Sequence, residues 1–208
     1  MLNDFFRKVC LKIYNTGSQE SQRRFEHNLK RNSIVGPQTK FYPGSNISNL
    51  SNKRENIAIG QNCHIYGLLL VYNYAGSITI GDNCSLSEYS RIVSGEKIVI
   101  GSRVMIAHNV NILDNNSHPK NAILRHEDFL SNYDGGMKQF DLDAREIVIE
   151  DDVWIGFNSI ILKGVKIGRG AIIGAGSVVL KDVEPWTINV GNPLRCVEKL
   201  DVPDFNIK

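Results

Sequence analysis

The amino-acid sequence predicts an all-β fold, a parallel β-helix in which a short strand and a corner repeat every six residues. Between residues 149 and 179 an aliphatic side chain recurs at every sixth position, in the series Ile149, Ile155, Ile161, Ile167, Ile173 and Val179. A small or β-branched residue stands two positions before each of these, and glycine follows three of them. An α-helical face recurs at about 3.6 residues and a plain strand face at two, so a period of six indicates neither.

The same register is present earlier in the chain, where Ile59, Ile80 and Ile100 are each followed by glycine. From these positions aliphatic residues again recur at intervals of six, at Ile65, Leu86, Ile92, Ile106 and Ile112. Three units of six make a triangular coil of about eighteen residues, and stacked coils pair their strands in parallel. We therefore expect ladders of aliphatic side chains inside the coils and glycine at crowded corners.

The chain divides into an N-terminal helical segment, residues 1–35, a β-helix domain, residues 36–200, and a C-terminal tail, residues 201–208. In the first segment apolar residues fall at helical spacing on one face, at Leu2, Phe5, Phe6, Val9, Cys10 and Ile13. We expect this helix to pack on the open end of the coils. Because the segment is also basic, a weak contact of residues 1–14 with a membrane surface is the alternative.

Composition and charge exclude several classes of function. The 208 residues include 24 Lys and Arg against 22 Asp and Glu, so no broad basic surface for a nucleic acid is expected. The four cysteines form no CxxC pair and no zinc spacing, which predicts reduced thiols and no metal site. The N-terminus lacks the apolar core of a signal peptide, and the longest apolar run is far too short for a membrane helix. We therefore expect a cytoplasmic protein.

The repeat is interrupted by a long insertion, residues 113–146, at the stretch VNILDNNSHPKN. Long insertions in compact repeat proteins are usually functional or disordered, and they collect on the binding face. His118 lies near the start of this one, and Pro119 biases it towards extended backbone, which restricts where its ring can point. An imidazole can act as a general base near neutral pH. His118 is therefore a candidate catalytic residue that Asp114 and nearby amides could orient; a solvated loop histidine is the alternative.

Three stretches resemble the hexapeptide-repeat acyltransferases, especially the galactoside and maltose acetyltransferases and the polysaccharide O-acetyltransferases. They are NVNILDNNSHP, the repeats from residue 149, and GAGSVVLKDVEPWTINVGNPLRC. The resemblance extends over about residues 57–195 and implies a left-handed β-helix, although the general rule for parallel crossovers favours the right hand. It also implies that His118 is catalytic, that acetyl-CoA is the co-substrate, and that the chain forms a homotrimer with active sites at subunit interfaces.

The resemblance further assigns coenzyme contacts to six residues: Trp154, Phe157, Ala175, Leu180, Lys181 and Arg195. The register of the repeat turns Trp154 outward, as expected for a ring that meets a flat ligand or a neighbouring subunit. Lysine and arginine suit the phosphates of coenzyme A. Lys163, Lys166 and Arg169 are further candidates, with charge on a solvated surface as the alternative. Glu198 departs from the sugar acetyltransferases, which often have a basic residue there.

The residues expected at the acceptor site differ from those of the galactoside-type enzymes. Ser87 and Gly95 stand where those enzymes carry an asparagine and an aspartate that hold their sugar. A site built to hydrogen-bond one pattern of hydroxyls discriminates strongly against others, so we expect a different carbohydrate acceptor. The candidate acceptor-binding residues are Ser87, Tyr89, His108 and Asn115. Neighbouring side chains that could shape such a site are Tyr72, Tyr74, Glu88 and Arg91.

These inferences predict an acetyl-CoA-dependent O-acetyltransferase that acts on a sugar hydroxyl by direct transfer, with a histidine base. The expected acceptor is a bacterial cell-surface glycan, that is, a capsular polysaccharide, a lipopolysaccharide or an exopolysaccharide. One alternative is an N-acetyltransferase of a nucleotide-linked amino sugar, which would use the same base and donor site. A second is a non-catalytic β-helix that assembles with partners; the histidine–proline pair and the C-terminal stretch argue against it.

Overall fold

The computed structural model describes residues 20, 23–27, 29–133 and 138–203. The predicted apolar helix face at residues 2–13 and the end of the C-terminal tail lie outside this range. Residues 23–27 and 29–31 are helical. Leu29 is buried in the core of the coils, and Phe25 packs against that core. The chain thus enters the β-helix from helical residues that share its core.

Twenty short strands in the described residues form three sheets. Sheet A contains β1 (Ile34–Val35), β4 (Ile57–Ile59), β7 (Ile78–Ile80), β10 (Ile98–Ile100), β13 (Ile147–Ile149) and β16 (Lys166–Ile167). Sheet B contains β2 (Lys40–Phe41), β5 (His64–Ile65), β8 (Ser85–Leu86), β11 (Met105–Ile106), β14 (Trp154–Ile155), β17 (Ile172–Ile173), β19 (Thr187–Val190) and β20 (Arg195–Lys199). Sheet C contains β3 (Asn46–Asn49), β6 (Leu68–Val71), β9 (Arg91–Ser94), β12 (Asn111–Leu113), β15 (Ile160–Leu162) and β18 (Val178–Val179).

Strands β1–β18 pass through sheets A, B and C in turn, so β1–β3 make one triangular coil and each following set of three strands makes the next. In the described part of the chain, six such coils are followed by a partial seventh, in which β20 pairs antiparallel with β19. The predicted parallel β-helix is confirmed. The three edges of the solenoid are called the A–B, B–C and C–A corners, after the sheets they join in chain order.

The six-residue period produces aliphatic ladders because the coils stack in register. In sheet A, Ile80 pairs with Ile59 on one side and Ile100 on the other, and Ile100 pairs with Ile149. These four side chains are at most 4% exposed. Burial of one such side chain contributes about 1.5–3 kcal/mol, and the ladders supply most of the apolar core of the coils.

Close stacking explains the corner glycines. A Cβ atom added to Gly81 would lie 2.6 Å from the backbone carbon of Gly101 on the next coil. Left-handed backbone is used at other corner positions, where asparagine recurs, as at Asn109 and Asn158, with φ of 56° and 58°. Asparagine tolerates that conformation better than most residues. Gly81 at the A–B corner is therefore needed for the close approach of the next coil and not for left-handed backbone.

The coils are interrupted once between β12 and β13, where the chain leaves the C–A corner as an excursion, residues 114–146. The sequence predicted an insertion from residue 113; Leu113 is the last residue of β12. The excursion contains a helix, Ala122–Tyr133, called the excursion helix. Oδ1 of Asn121 caps it by accepting hydrogen bonds from the backbone N–H groups of Ile123 and Leu124, at 2.9 and 3.2 Å. No helix within the described ranges has the length and apolar character needed to cross a membrane.

Candidate active site

A tight turn at the start of the excursion presents His118. The backbone N–H of Ser117 donates to Oδ1 of Asn115 at 2.8 Å, and Ser117 has left-handed backbone with φ of 62°. The backbone N–H of His118 donates to the carbonyl of Asn116 at 2.7 Å. The turn therefore fixes the backbone from which the ring projects, and 55% of the His118 side chain is exposed.

The ring of His118 is held by Asp128 of the excursion helix, since Nδ1 lies 2.6 Å from Oδ2 of Asp128. The Asp128 side chain is only 12% exposed. An ionised carboxylate can only accept, so this contact favours the tautomer with its hydrogen on Nδ1. That tautomer leaves the lone pair on Nε2, where it can accept a proton.

Asp114, which the sequence suggested as an orienting group, instead anchors the turn to the preceding coil. Its carboxylate is fully buried. It accepts four hydrogen bonds of 2.7–3.0 Å, from the backbone N–H groups of Gly95 and Glu96, Oγ of Ser94 and Nδ2 of Asn115. Because these four donors take up its acceptor positions, Asp114 supports the base of the excursion, and the orienting contact comes from Asp128.

A cleft of about 300 Å³ lies beside His118 along the C–A corner. It is lined by Leu50, Tyr72, Asn73, Tyr74, Ser117, His118, Asp128, Lys138, Phe140 and Leu142. The rings of Tyr72 and Tyr74 stack with centroids 5.7 Å apart. Burial raises the pKa of Tyr72, and burial raises the pKa of Tyr74 to about 12. Both phenols are therefore neutral at physiological pH and can donate hydrogen bonds in this cleft.

The far end of the excursion is fastened by Asp143. Its Oδ2 lies 2.5 Å from Nζ of Lys120 and 2.8 Å from Nζ of Lys163. Hydrogen bonding to Lys120, and then to Lys163, holds the pKa of Asp143 well below its usual range. Lys120 follows His118 by two residues, whereas Lys163 adjoins β15 of the coils. The carboxylate thus ties the histidine turn to the wall of the solenoid.

The residues expected to contact the coenzyme occupy the side and end of the coils. Trp154 projects outward from β14 and is 47% exposed, which confirms its predicted direction. Phe157 and Ala175 lie exposed on the B–C corner. Leu180, 61% exposed, and Lys181 follow β18 at the C–A corner. Lys181 also lines a cleft of about 560 Å³ at the end of the solenoid, and Arg195 lies in its wall.

The further candidate cations are engaged by carboxylates. Nζ of Lys166 lies 2.6 Å from Oε1 of Glu150, and Nε of Arg169 lies 2.9 Å from Oδ2 of Asp152. Lys163 is the partner of Asp143. These contacts favour a structural interpretation of the three cations, and they leave Lys181 and Arg195 as the stronger candidates for a phosphate site.

Most of the expected acceptor residues lie away from His118 within one chain. Ser87, Tyr89 and His108 lie on the B–C corner, whereas His118 leaves from the C–A corner. Tyr89 is 79% exposed beside a cleft of about 350 Å³, and Nε2 of His108 lies 2.8 Å from Oε2 of Glu88. Asn115 is near His118, but its side chain is buried in the turn. One chain therefore brings Asn115 to the histidine and keeps the other three apart from it.

Asp128, Lys138 and Phe140 belong to this site but were not predicted from the sequence. A signal for Asp128 existed in the stretch NAILRHEDFLSNY, where a helix-capping asparagine precedes a segment without glycine or proline. Lys138 and Phe140, which complete the cleft, lie in irregular chain that offers no comparable signal. Among the residues the structure describes, no group of three or more His, Cys, Asp or Glu side chains could hold a metal ion.

Comparison with known proteins gives a family match and several relatives. The family model described as bacterial transferase hexapeptide (six repeats) matches residues 146–181. The galactoside O-acetyltransferase of Lactococcus lactis subsp. lactis is 31% identical over 148 residues, which are 71% of this chain and 65% of that protein. The chain spans about three fifths of the length of the curated relatives that it matches.

Two solved structures extend the comparison to the fold. A variant of AntD, an N-acyltransferase from Bacillus cereus in complex with dTDP-4-amino-4,6-dideoxyglucose and coenzyme A, has a TM-score of 0.65 at 21% identity, over 85% of this chain and 89% of that one. A maltose O-acetyltransferase from Clostridium difficile 630 is 30% identical with a TM-score of 0.52, over 85% of this chain and 75% of that one. The chain belongs to the hexapeptide-repeat acyltransferase family, and its solenoid is the left-handed parallel β-helix of that family.

Proposed function

We propose that the protein is an acetyl-CoA-dependent O-acetyltransferase that acetylates a sugar hydroxyl, with His118 as general base. The observation that carries the proposal is the 2.6 Å contact between Nδ1 of His118 and Oδ2 of Asp128 at the edge of a tyrosine-lined cleft. The sugar O-acetyltransferases among its relatives support the same class of reaction.

The pair of His118 and Asp128 suits direct transfer. A hydroxyl is a weak nucleophile at neutral pH, and the lone pair on Nε2 can remove its proton as it attacks. The hydroxyl oxygen bonds to the thioester carbon, the carbon–sulfur bond breaks, and the imidazolium gives its proton to the departing thiolate. Asp128 keeps the ring oriented and stabilises the imidazolium between the two proton transfers.

The donor is proposed to lie between the outward face of sheet B and the end of the solenoid. Trp154 offers a flat apolar surface, and Lys181 and Arg195 offer positive charge for the phosphates of coenzyme A. Phe157, Ala175 and Leu180 would contribute mainly through their backbone. Coenzyme A is present in the AntD complex, which has the same fold.

The acceptor is proposed to be a sugar unit of a bacterial cell-surface glycan that binds in the cleft beside His118. The volume of about 300 Å³ is at the lower end of the range for small-molecule sites, which suits a single sugar unit. Tyr72 and Tyr74 present ring faces and neutral hydroxyl donors there. Ser87 and Gly95 replace the groups that hold the sugar in galactoside-type enzymes, which supports a different sugar.

A complete site is proposed to need more than one chain, as in the homotrimer expected from the sequence. His118 lies at the C–A corner, whereas Phe157, Ala175 and the acceptor candidates Tyr89 and His108 lie at the B–C corner. In a ring of coils these two corners of neighbouring chains can meet, which would bring the two groups of residues together.

The test is an acceptor screen with acetyl-CoA, in which products are detected by the added mass of one acetyl group. The panel contains sugars, glycan fragments and nucleotide-linked amino sugars. Mild alkali then separates the products, because it cleaves an acetate ester and leaves an acetamide intact. We expect an alkali-labile product; an alkali-stable product would instead establish the N-acetyltransferase.

The proposed role of His118 as general base is tested with the acceptor that the screen identifies. His118→Ala should lower the rate of thiol release by about 10²–10⁴-fold, because it removes the general base. His27→Ala, an exposed histidine before the first coil, serves as the matched control and should leave the rate unchanged. Full activity of His118→Ala would show that another group removes the proton.

A further inference from the structure

The second coil is two residues short at its B–C corner. In the other complete coils the buried residue of sheet B is followed by that of sheet C six positions later, as Leu86 is followed by Ile92. In the second coil only four positions separate Ile65 from Leu69, and both are fully buried. The strands on either side of this corner still pair in register with those of the third coil. The two residues are therefore missing from the outer surface of the corner, and the core is unchanged.

The short corner leaves a cleft of about 350 Å³, called the coil-2 notch, between the corners of the first and third coils. Gly67 of the short corner is buried, and an added Cβ there would meet the carbonyl oxygen of Ser90 on the third coil. The second coil is thus drawn in against its neighbour. The notch is lined by residues of three coils, chiefly Gly44, Tyr66, Gly67, Glu88, Tyr89 and Arg91.

Tyr89 has a backbone conformation that the fold does not require a tyrosine to adopt. Its φ is 64°, and it is 79% exposed. The equivalent positions at the B–C corners of four other coils carry glycine or asparagine, at Gly44, Asn109, Asn158 and Gly176. A bulky residue in left-handed backbone is strained, and such strain collects at binding sites. Because the exposed ring adds little to the core, a role in binding explains the tyrosine better than a role in folding.

The groups in the notch suit a sugar unit. The ring of Tyr66 stacks on that of Tyr42, with centroids 4.0 Å apart and 7° between the ring planes, which holds it in place. An aromatic ring of this kind offers a flat apolar surface with a polar tip. The Glu88 carboxylate can accept hydrogen bonds from hydroxyls, and the guanidinium of Arg91, which is exposed, can donate to them. Ring surface beside both kinds of hydrogen-bonding group matches the apolar and hydroxyl-bearing faces of a carbohydrate.

The charge of the notch argues against a nucleotide as its ligand. Its lining residues include one acid, Glu88, and one base, Arg91, and there is no lysine among them. Diphosphates are usually held by several cationic side chains or by the N–H groups at a helix N-terminus. A notch with balanced charge therefore suits a neutral sugar unit better than the diphosphate of a nucleotide-linked sugar.

We propose that the coil-2 notch binds a second sugar unit of the acceptor, beyond the unit that is acetylated, so that the acceptor is an oligosaccharide or a polymer. The proposal rests on the proposed function, in which the B–C corner of one chain meets His118 of a neighbour. His108 marks the level of the reaction at this corner, since it belongs to the fourth coil, from which the excursion leaves. The expected coenzyme contacts Phe157 and Ala175 lie on the fifth and sixth coils.

The notch lies on the opposite side of that level from the coenzyme contacts. It is centred on the second coil, two coils from the fourth, which is about 10 Å at the usual spacing of paired strands. A short oligosaccharide spans this distance. A glycan chain with one unit at the reaction level would therefore pass over Tyr89, on the third coil, and place a further unit in the notch.

A length series of the acceptor found in the screen tests the proposal kinetically. In the native protein KM should fall at least about tenfold when sugar units are added to the single unit, the value of one hydrogen bond to a charged group. The value of kcat should change little, because the added units bind away from the reacting atoms. A KM that does not depend on acceptor length would overturn the proposal.

The same series is measured on a variant whose notch is filled. Insertion of Asn-Ser after Gly67 restores the period of six, with the new residues at the positions that Asn158 and Ser159 occupy in the fifth coil. It should remove the effect of length on KM. Arg91→Ala, which changes one exposed side chain, should reduce that effect and guards against misfolding of the insertion variant. Arg31→Ala, an exposed arginine before the first coil, is the matched control and should retain it.

Binding is measured without catalysis on an array of oligosaccharides from bacterial capsules, lipopolysaccharides and exopolysaccharides, with fluorescently labelled protein and no acetyl-CoA. The native protein and His118→Ala should bind the same members, and the insertion variant should lose them. No binding by the native protein, or equal binding by the insertion variant, would overturn the proposal. Binding of dTDP that the insertion abolishes would also overturn it, because the notch would then hold a nucleotide. Since the array needs no general base, its result is distinct from failure of the proposed function.

Tyr89→Asn separates binding from folding. Asparagine adopts left-handed backbone more readily than tyrosine, so the midpoint of denaturant unfolding should rise. Binding to the array should nevertheless weaken, because the exposed ring is lost. A lower midpoint, or unchanged binding, would show that Tyr89 is not part of a sugar site.

Discussion

Oδ2 of Asp128 lies 2.6 Å from Nδ1 of His118, although the two residues stand ten positions apart and on different elements. The histidine belongs to the turn that leaves β12, and the aspartate belongs to the excursion helix. A carboxylate in this position fixes the tautomer of the ring and balances the charge that forms when the ring is protonated. The turn at the start of the excursion and the helix within it thus each supply one member of this pair.

Asp128→Asn should lower kcat while leaving the KM for acetyl-CoA unchanged. The amide keeps the size of the side chain, but it can donate to Nδ1 and so place the ring hydrogen on Nε2, the wrong nitrogen for a base. We expect a loss of about 10²-fold, at the lower end of the range for a missing general base. Steady-state kinetics with the acceptor found in the screen provide the measurement.

Glu127→Gln is the matched control for Asp128→Asn, since it makes the same chemical change one residue earlier on the same helix. It should leave kcat within about a factor of two, because the Glu127 carboxylate is partly exposed and makes only a long contact, 3.9 Å, with Nζ of Lys138. Equal losses in the two variants would indicate that the helix is sensitive to any change of charge and that Asp128 has no special role.

The coils could be predicted from sequence because each ladder position repeats a local rule. Ile100 and Ile149 are far apart in the chain, yet both obey the period of six, and they pair in register. The partner of His118 obeys no such rule. Asp114 is nearer in sequence, but four donors from its own turn and the preceding coil occupy it, whereas Asp128 is brought in by a helix.

The cleft beside His118 was only partly predictable for the same reason. Tyr72 and Tyr74 follow β6, two coils below His118, and vertical stacking brings them under the excursion. Lys138 and Phe140 reach the cleft through irregular chain whose path depends on contacts such as Asp143 with Lys163. The residues in those contacts do not occupy equivalent positions of the six-residue repeat. A periodic sequence pattern therefore cannot predict them.

Lys181→Ala and Arg195→Ala should each weaken binding of coenzyme A with little change in kcat. A hydrogen bond to a charged group contributes about 1.5–3 kcal/mol, so each dissociation constant should rise by roughly 10–150-fold. Titration calorimetry measures it. Lys166→Ala is the control, because that lysine is paired with Glu150 at 2.6 Å and should not contribute. Unchanged affinity for coenzyme A in both test variants would show that other residues bind its phosphates.

The ion pairs of Asp143 predict a pH-dependent contribution to stability. Its pKa is lowered in the folded protein, chiefly by Lys120, so the ionised carboxylate stabilises the fold above the unfolded pKa of about 3.9. This contribution is lost as the pH falls from there towards the lower folded pKa. Asp143→Asn should therefore lower the free energy of unfolding at pH 7, and the difference from the native protein should shrink progressively below about pH 4.

Denaturant titrations at several pH values measure that difference. Asp201→Asn, which changes an exposed aspartate in the C-terminal tail, should match the native protein at every pH. The free energies of unfolding of Asp143→Asn and the native protein could instead differ by the same amount down to the lowest pH at which the protein folds. That result would mean that the charge of the Asp143 carboxylate does not fasten the excursion.

Two glycines should respond differently to asparagine, because the coils need them for different reasons. Gly176 has φ of 68° and no atom within 4 Å of an added Cβ, and Asn158 occupies the same corner one coil earlier with φ of 58°. Gly176→Asn should therefore cost little. At Gly81 an added Cβ would lie 2.6 Å from the backbone of Gly101. Gly81→Asn and Gly81→Ala should both lower the free energy of unfolding by about 1–3 kcal/mol, the usual cost of overpacking.

Equilibrium unfolding of the three variants separates crowding from backbone conformation. If conformation were the requirement at Gly81, asparagine would be tolerated better than alanine there, since it adopts left-handed backbone more readily. Equal losses of unfolding free energy for alanine and asparagine at Gly81, with a small loss at Gly176, would show that close stacking is what requires glycine at Gly81. A larger loss of unfolding free energy for Gly176→Asn than for Gly81→Asn would contradict this interpretation. The distance between stacked coils would then not determine which residues a corner tolerates.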